Sequence, residues 1–154
     1  MISRFEQFSF VISGIYRYIQ KIERNEMVKR GYKGAFALYL ATLNRYEEGL
    51  SAVQLCEICD KDKAAVSRII AEMEEKGLVE RIKNGNKGYR AKITLTEKGK
   101  ETAVYVAERA LTAISSVSGE LMNDEERKIF YSTLDTIYKN IQKVSKEGIP
   151  QKEQ

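Results

Sequence analysis

Residues 55–99 read LCEICDKDKAAVSRIIAEMEEKGLVERIKNGNKGYRAKITLTEKG, and the order of signals in this stretch decides the fold. Laid out at about 100° per residue, Val66, Ile69, Ile70 and Met73 fall on one side of a helix, the stripe that packs on a core. Asp62 is its expected N-cap, and Gly77 its expected stop, with Lys76 suiting the negative end of the helix dipole. A short helix carrying Leu55 to Cys59 precedes it across a tight turn. Residues 78–83 and 90–95, rich in Val, Ile and Thr, read as two strands. Asn84, Gly85, Asn86, Lys87 and Gly88 between them are turn residues. Helix, turn, helix, hairpin is the order of a helix-turn-helix followed by a wing.

The chemistry of the second helix points outward. Opposite its apolar stripe lie Ala64, Arg68 and Ala71, with Ser67 beside them. Small residues around one arginine let a helix sink into a major groove, where a guanidinium bridges guanine O6 and N7. Taken alone, the same pattern also describes an ordinary surface helix, and a basic hairpin alone is often only a solvated loop. The two side by side favour a duplex reader. Between residues 61 and 92 there are nine Lys or Arg and five Asp or Glu, a surplus of four. The whole chain has 26 basic and 22 acidic residues, so this window holds all of its net charge of +4. From Arg81 to Lys92 there are five basic residues and no acidic one, suiting a loop that tracks phosphates or enters a minor groove.

The segment DKDKAAVSRIIAEMEEKGLVERIKN…YRAKITLTEKGK resembles the core of the MarR family of bacterial winged-helix transcription regulators. That family typically shows Asp-Lys-Ser-Thr-Val-Ser-Arg, then Leu-Glu-Lys-Lys-Gly-Leu-Val, then a wing closing in Leu-Thr-Glu-Lys-Gly. The strong match runs over residues 50–100, and the flanking helices extend it more weakly. The resemblance implies a homodimer on double-stranded DNA with an inverted-repeat operator. Lys63, Ala64, Ala65, Ser67 and Arg68 then fall where the recognition helix meets bases and backbone. Ala64 and Ala65 stand where the family more often has Ser and Thr, which removes two hydroxyl contacts. The wing lacks the common Asp-x-Arg tip, so its contacts fall to Lys83, Asn86, Lys87, Tyr89 and Arg90. Lys33, at the start of a helix expected over 34–45, is a candidate phosphate contact aided by free backbone amides.

Outside this head the chain carries apolar seams. Phe5, Phe8, Ile12, Ile15, Ile19 and Ile22 recur at spacings of three and four, the a/d pattern of associating helices. Ser3 is placed to start that helix, and Lys29 to Gly31 to end it. A helix over 97–118 has Val104, Ala107, Leu111 and Ile114 on one side. Phe130, Leu134, Ile137, Ile141 and Val144 repeat the spacing after a cap at Asn123 or Asp124. These seams either pack on each other within one chain or join two chains. The resemblance favours the second, giving an N-terminal dimerisation helix (1–31), a winged helix-turn-helix (32–96) and C-terminal dimerisation helices (97–147). The fold class expected is mainly α with a small β-hairpin wing. Two heads related by a two-fold axis would meet half-sites about 34 Å apart, and a tilt of the arms would change that span.

The resemblance also implies a ligand pocket where arms and head join. Phe8, Ile12, Tyr16, Tyr39 and Tyr46 are the candidate lining, fitted to a small aromatic effector. The same tyrosines read equally as packing residues with their hydroxyls in water.

Length and composition bound the rest. The 154 residues are 43% hydrophobic and 31% charged, an ordinary soluble balance, and no apolar run approaches the roughly 18 residues of a membrane span. The first twenty residues, interrupted by Glu6 and Arg17, read as a mature helix and not a signal peptide. A cytoplasmic location is expected. Cys56 and Cys59 form a C-x-x-C, but the chain has no histidine and no other cysteine, so a tetrahedral zinc within one chain lacks ligands. Both lie along the helix before the turn, which favours structural cysteines over a redox sensor. No metal site and no cofactor are expected. Without histidine, a P-loop or a G-x-G-x-x-G, catalysis is disfavoured. The expected function is a DNA-binding regulator acting as a repressor and released by a ligand. A protein-binding adaptor and a cysteine-based redox regulator are the alternatives.

Overall fold

The computed structural model describes residues 3–82, 91–118 and 121–149, with the side chains of Phe5, Val117 and Ser118 left aside. In chain order it contains α1 (Arg4–Lys29), α2 (Phe36–Arg45), α3 (Ala52–Cys59), α4 (Lys63–Glu75), β1 (Val79–Ile82), β2 (Lys92–Leu95), α5 (Glu97–Ser118) and α6 (Asp124–Glu147). The fold is mainly helical, with a two-stranded antiparallel hairpin after the helix-turn-helix. Two compact units divide it, Met1–Ile114 and Ser115–Gln154. Among the described residues no helix is long and apolar enough to cross a membrane.

The helix ends follow from short side chains and glycines. Ser3 and Ser51 cap α1 and α3 in capping boxes with Glu6 and Gln54, and Asn123 caps α6 with Glu126. α1 ends with Gly31 at φ 77°, where Tyr32 N–H donates to the Met27 carbonyl and Gly31 N–H to that of Val28. α4 ends identically: Leu78 N–H donates to Met73, Gly77 N–H to Glu74, and Gly77 sits at φ 68°. Both are Schellman stops, which close a helix in the left-handed region that a glycine enters at least cost.

The core of the first unit lies between α2, α3, α4 and the hairpin. Phe36, Leu40, Leu55, Ile70, Met73, Leu78 and Ile93 are each at most 1% exposed. Burying each such side chain stabilises the fold by about 1.5–3 kcal/mol. Both flanking helices contribute to this core, α1 through Met27 and α5 through Ala103 and Val106. The hairpin pairs Val79 with Leu95, Glu80 with Thr94, Arg81 with Ile93 and Ile82 with Lys92. Leu50 bridges Ile93 from the other side, so the link between α2 and α3 runs along β2.

The helix expected over 97–118 is present, but its buried side differs from the stripe read in the sequence. Ala103, Val106 and Ala110 are buried, whereas Val104 and Leu111 are 46% and 63% exposed. The α1 seam is likewise uncovered at Phe8, Ile12 and Ile15, and α6 has no buried residue.

Candidate nucleic-acid interface

Three residues turn the chain from α3 into α4. Asp60 closes α3 in the left-handed region, at φ 50° and ψ 54°, and Lys61 N–H donates to the Cys56 carbonyl at 3.1 Å. Asp62 then caps α4, its Oδ1 accepting from Ala65 N–H at 2.9 Å. This sets where α4 begins. Val66, Ile70 and Met73 are buried and Ile69 half-buried.

The opposite side is open. Lys63, Ala64, Ser67, Arg68 and Ala71 are exposed, and Ala65 is half-buried. Among the described residues Lys63 and Arg68 take no ion pair, so both cations stand uncompensated beside small side chains. The remaining expected contacts divide. Lys83, Asn86, Lys87, Tyr89 and Arg90 lie outside the described residues. Lys33 is described and engaged: its Nζ lies 2.6 Å from Oε2 of Glu72 on α4. The Phe36 and Ala37 amides near it donate to the Lys33 and Gly34 carbonyls at 3.0 and 3.2 Å. Glu72 has Lys76 four residues on, yet it turns toward Lys33 and is half-buried.

The sequence reading missed the parts that tie α4 to its neighbours. Arg81 Nε of β1 donates to both carboxylate oxygens of Glu74, at 2.9 and 3.0 Å. The start of α5 is stapled to the end of α4. There Thr96 Oγ1 donates to the Gly77 carbonyl at 2.6 Å, and Lys98 Nζ to the Lys76 carbonyl at 2.7 Å. Gly99 lies so close that a Cβ there would sit 1.9 Å from the Leu78 carbonyl oxygen. The Thr-x-Lys-Gly spacing was the available signal for this joint.

Of the residues expected to line a ligand pocket, Tyr39 is buried in the head's core, where burial foremost pushes its phenol pKa up. Tyr46 follows α2 and is 40% exposed, while Phe8, Ile12 and Tyr16 lie along the exposed length of α1. Cys59 is buried with its Sγ 3.6 Å from Thr42 Oγ1, and burial pushes its thiol pKa up. Both cysteines are free. A thiol held protonated is a poor nucleophile, which agrees with a packing role.

The order of elements and the open face of α4 define a winged helix-turn-helix protein with long helices at both ends. Residues 30–88 match the model of the MarR family. The fold is shared with a MarR regulator of Methanosarcina mazei at TM-score 0.73 and 24% identity, over 90% of this chain and 99% of that one. It is shared also with a MarR-family regulator of Listeria monocytogenes complexed with a 26mer DNA, at TM-score 0.70 and 20% identity, over 92% and 95%. A MepR mutant of S. aureus bound to an oligodeoxyribonucleotide matches at 0.60 and 15%, over 87% and 97%. No curated protein matches the sequence. The family match covers 59 of the chain's 154 residues, and the solved structures share its fold.

Proposed function

We propose that the chain is a sequence-specific DNA-binding repressor that reads an inverted-repeat operator as a homodimer. The observation that carries this reading is the exposed Arg68, without an ion pair among the described residues, on a groove-sized face of Ala64, Ser67 and Ala71. In this reading Arg68 reads a base edge, Lys63 and Ser67 hold backbone, and Ala64 and Ala65 allow close approach. Lys83, Asn86, Lys87, Tyr89 and Arg90 serve as the wing's contacts with affinity and register. Two solved structures that share this fold are complexes with DNA, which supports DNA as the partner here. Lys33 enters as a support of α4, since its ammonium is held by Glu72.

The homodimer rests on the uncovered seams of α1, α5 and α6, with residues 1–31 and 97–147 as association arms around the head. Release by a small aromatic ligand is part of the same reading. It would act through the joint between α4 and α5, with the α1 residues Phe8, Ile12 and Tyr16 as the reachable lining. A ligand lowers operator occupancy only by its differential affinity for the two arm spacings.

The test is a fluorescence-anisotropy titration against DNA upstream of the protein's own gene and against a scrambled duplex, at two salt concentrations. Tighter, salt-sensitive binding to the upstream DNA is expected. Adding 4-hydroxybenzoate as a phenolic probe should weaken only the specific complex. No binding to either duplex at low salt would overturn the reading in favour of a protein-binding adaptor.

A further inference from the structure

Two carboxylates of α4 are held by cations from different elements. Glu72 meets Lys33 Nζ, just before α2, at 2.6 Å, and Glu74 meets Arg81 Nε, on β1, at 2.9 and 3.0 Å. Seen down the helix axis from the direction of Ala64, Glu72 lies about 80° to one side and Glu74 about 80° to the other. Ala64, Arg68 and Ala71 lie between them. We propose that Glu72 and Glu74 are positioning residues that fix the roll of α4 about its own axis. This rests on the reading of α4 as the helix that meets DNA.

The physical need for such a device is specific. Val66, Ile69, Ile70 and Met73 hold α4 through an arc of about 100°. Apolar packing is non-directional, so it opposes a small roll weakly. The two ion pairs oppose each other, and a roll in either sense lengthens one of them. A roll of about 10° carries an atom about 6 Å from the axis through about 1 Å. A recognition constellation tolerates about 0.5 Å. The braces therefore act on discrimination between sequences more than on affinity for DNA as such.

The experiment compares Glu72→Gln, Glu74→Gln and the double variant with the wild-type protein. Without DNA, the periodic pattern of amide residual dipolar couplings along α4 should shift in phase relative to α2 in the variants. An unchanged phase in the double variant overturns the proposal whether or not the protein binds DNA. With DNA, each variant should lose about two- to five-fold in the ratio of operator to scrambled affinity, the range of a half-exposed ion pair. Removing a negative charge near DNA would by itself tighten both complexes equally, and that outcome also overturns it. The Lys33→Gln and Glu72→Gln losses should not add in the double variant. Additive losses would make Lys33 a direct phosphate contact. A wild-type protein that fails to discriminate sinks the functional reading alone, and the dipolar couplings still decide the braces.

Discussion

Gly99 and Gly77 separate two reasons for a glycine. A Cβ at position 99 would meet the Leu78 carbonyl oxygen at 1.9 Å, backbone that the start of α5 cannot avoid. At position 77 it would meet nothing within 4 Å, and only the φ of 68° disfavours it. Gly99→Ala should therefore cost about 3 kcal/mol or fail to fold, the upper range for an overpacked site. Gly77→Ala should cost about 1–2 kcal/mol, the left-handed penalty alone. Chemical denaturation of both variants checks the order, and equal losses would refute the steric account. Arg68→Ala belongs to the same scale. It should leave the fold intact and cost roughly 1–3 kcal/mol on the operator while relaxing one base position per half-site. Equal losses on operator and random duplex would remove its base-reading role.

Among elements, α1 and α5 are joined by an ion pair as well as by their shared core. Glu26, 6% exposed on α1, accepts from Lys29 of its own helix and from Arg109 Nε of α5 at 3.4 Å. The Lys29 hydrogen bond foremost, with Arg109 assisting, holds its carboxyl below the usual carboxylate range against the cost of burial. Because the folded pKa is depressed, the stabilisation is complete above the unfolded value of about 4.3. It is lost as the pH falls through the folded pKa. The melting-temperature gap between wild type and Glu26→Gln should therefore be widest at neutral pH and close on the acid side. A gap constant from pH 7 to pH 3 would count against the pair. No local signal in the sequence points to this tie. Glu26 and Arg109 are 83 positions apart, and only folding brings the end of α1 to the middle of α5.

On the scale of the whole molecule, the uncovered seams carry the prediction. α6 spans 24 residues without a buried one, and an amphipathic helix of that kind is held mainly by what covers its apolar face. If a second copy supplies that cover, the melting temperature should rise with protein concentration, because association stabilises the folded chain by mass action. Sedimentation equilibrium should return twice the mass of the chain. A concentration-independent melt with a single-chain mass would dismiss the dimer.

Much of the head was legible in the order of residues, because its signals are local. An aspartate before an amphipathic run caps a helix, a glycine after it stops one, and Val66, Ile70 and Met73 can share only one face. Those features need no knowledge of a neighbour. Pairings between elements were not legible. Glu72 had a cation four residues on in Lys76, and spacing could not reveal that Lys33 would arrive from before α2. α5 shows the same blindness in apolar form: Val104, Ala107 and Leu111 make one helical stripe, Ala103, Val106 and Ala110 another, and periodicity alone does not rank them. The sequence thus determined where the helices begin, end and carry their apolar stripes, since these depend on hydrogen bonds and angles within a few residues. The tertiary structure alone decided which stripe meets the core and which cation meets which carboxylate, since burial and charge pairing depend on groups that only the packed chain brings within reach.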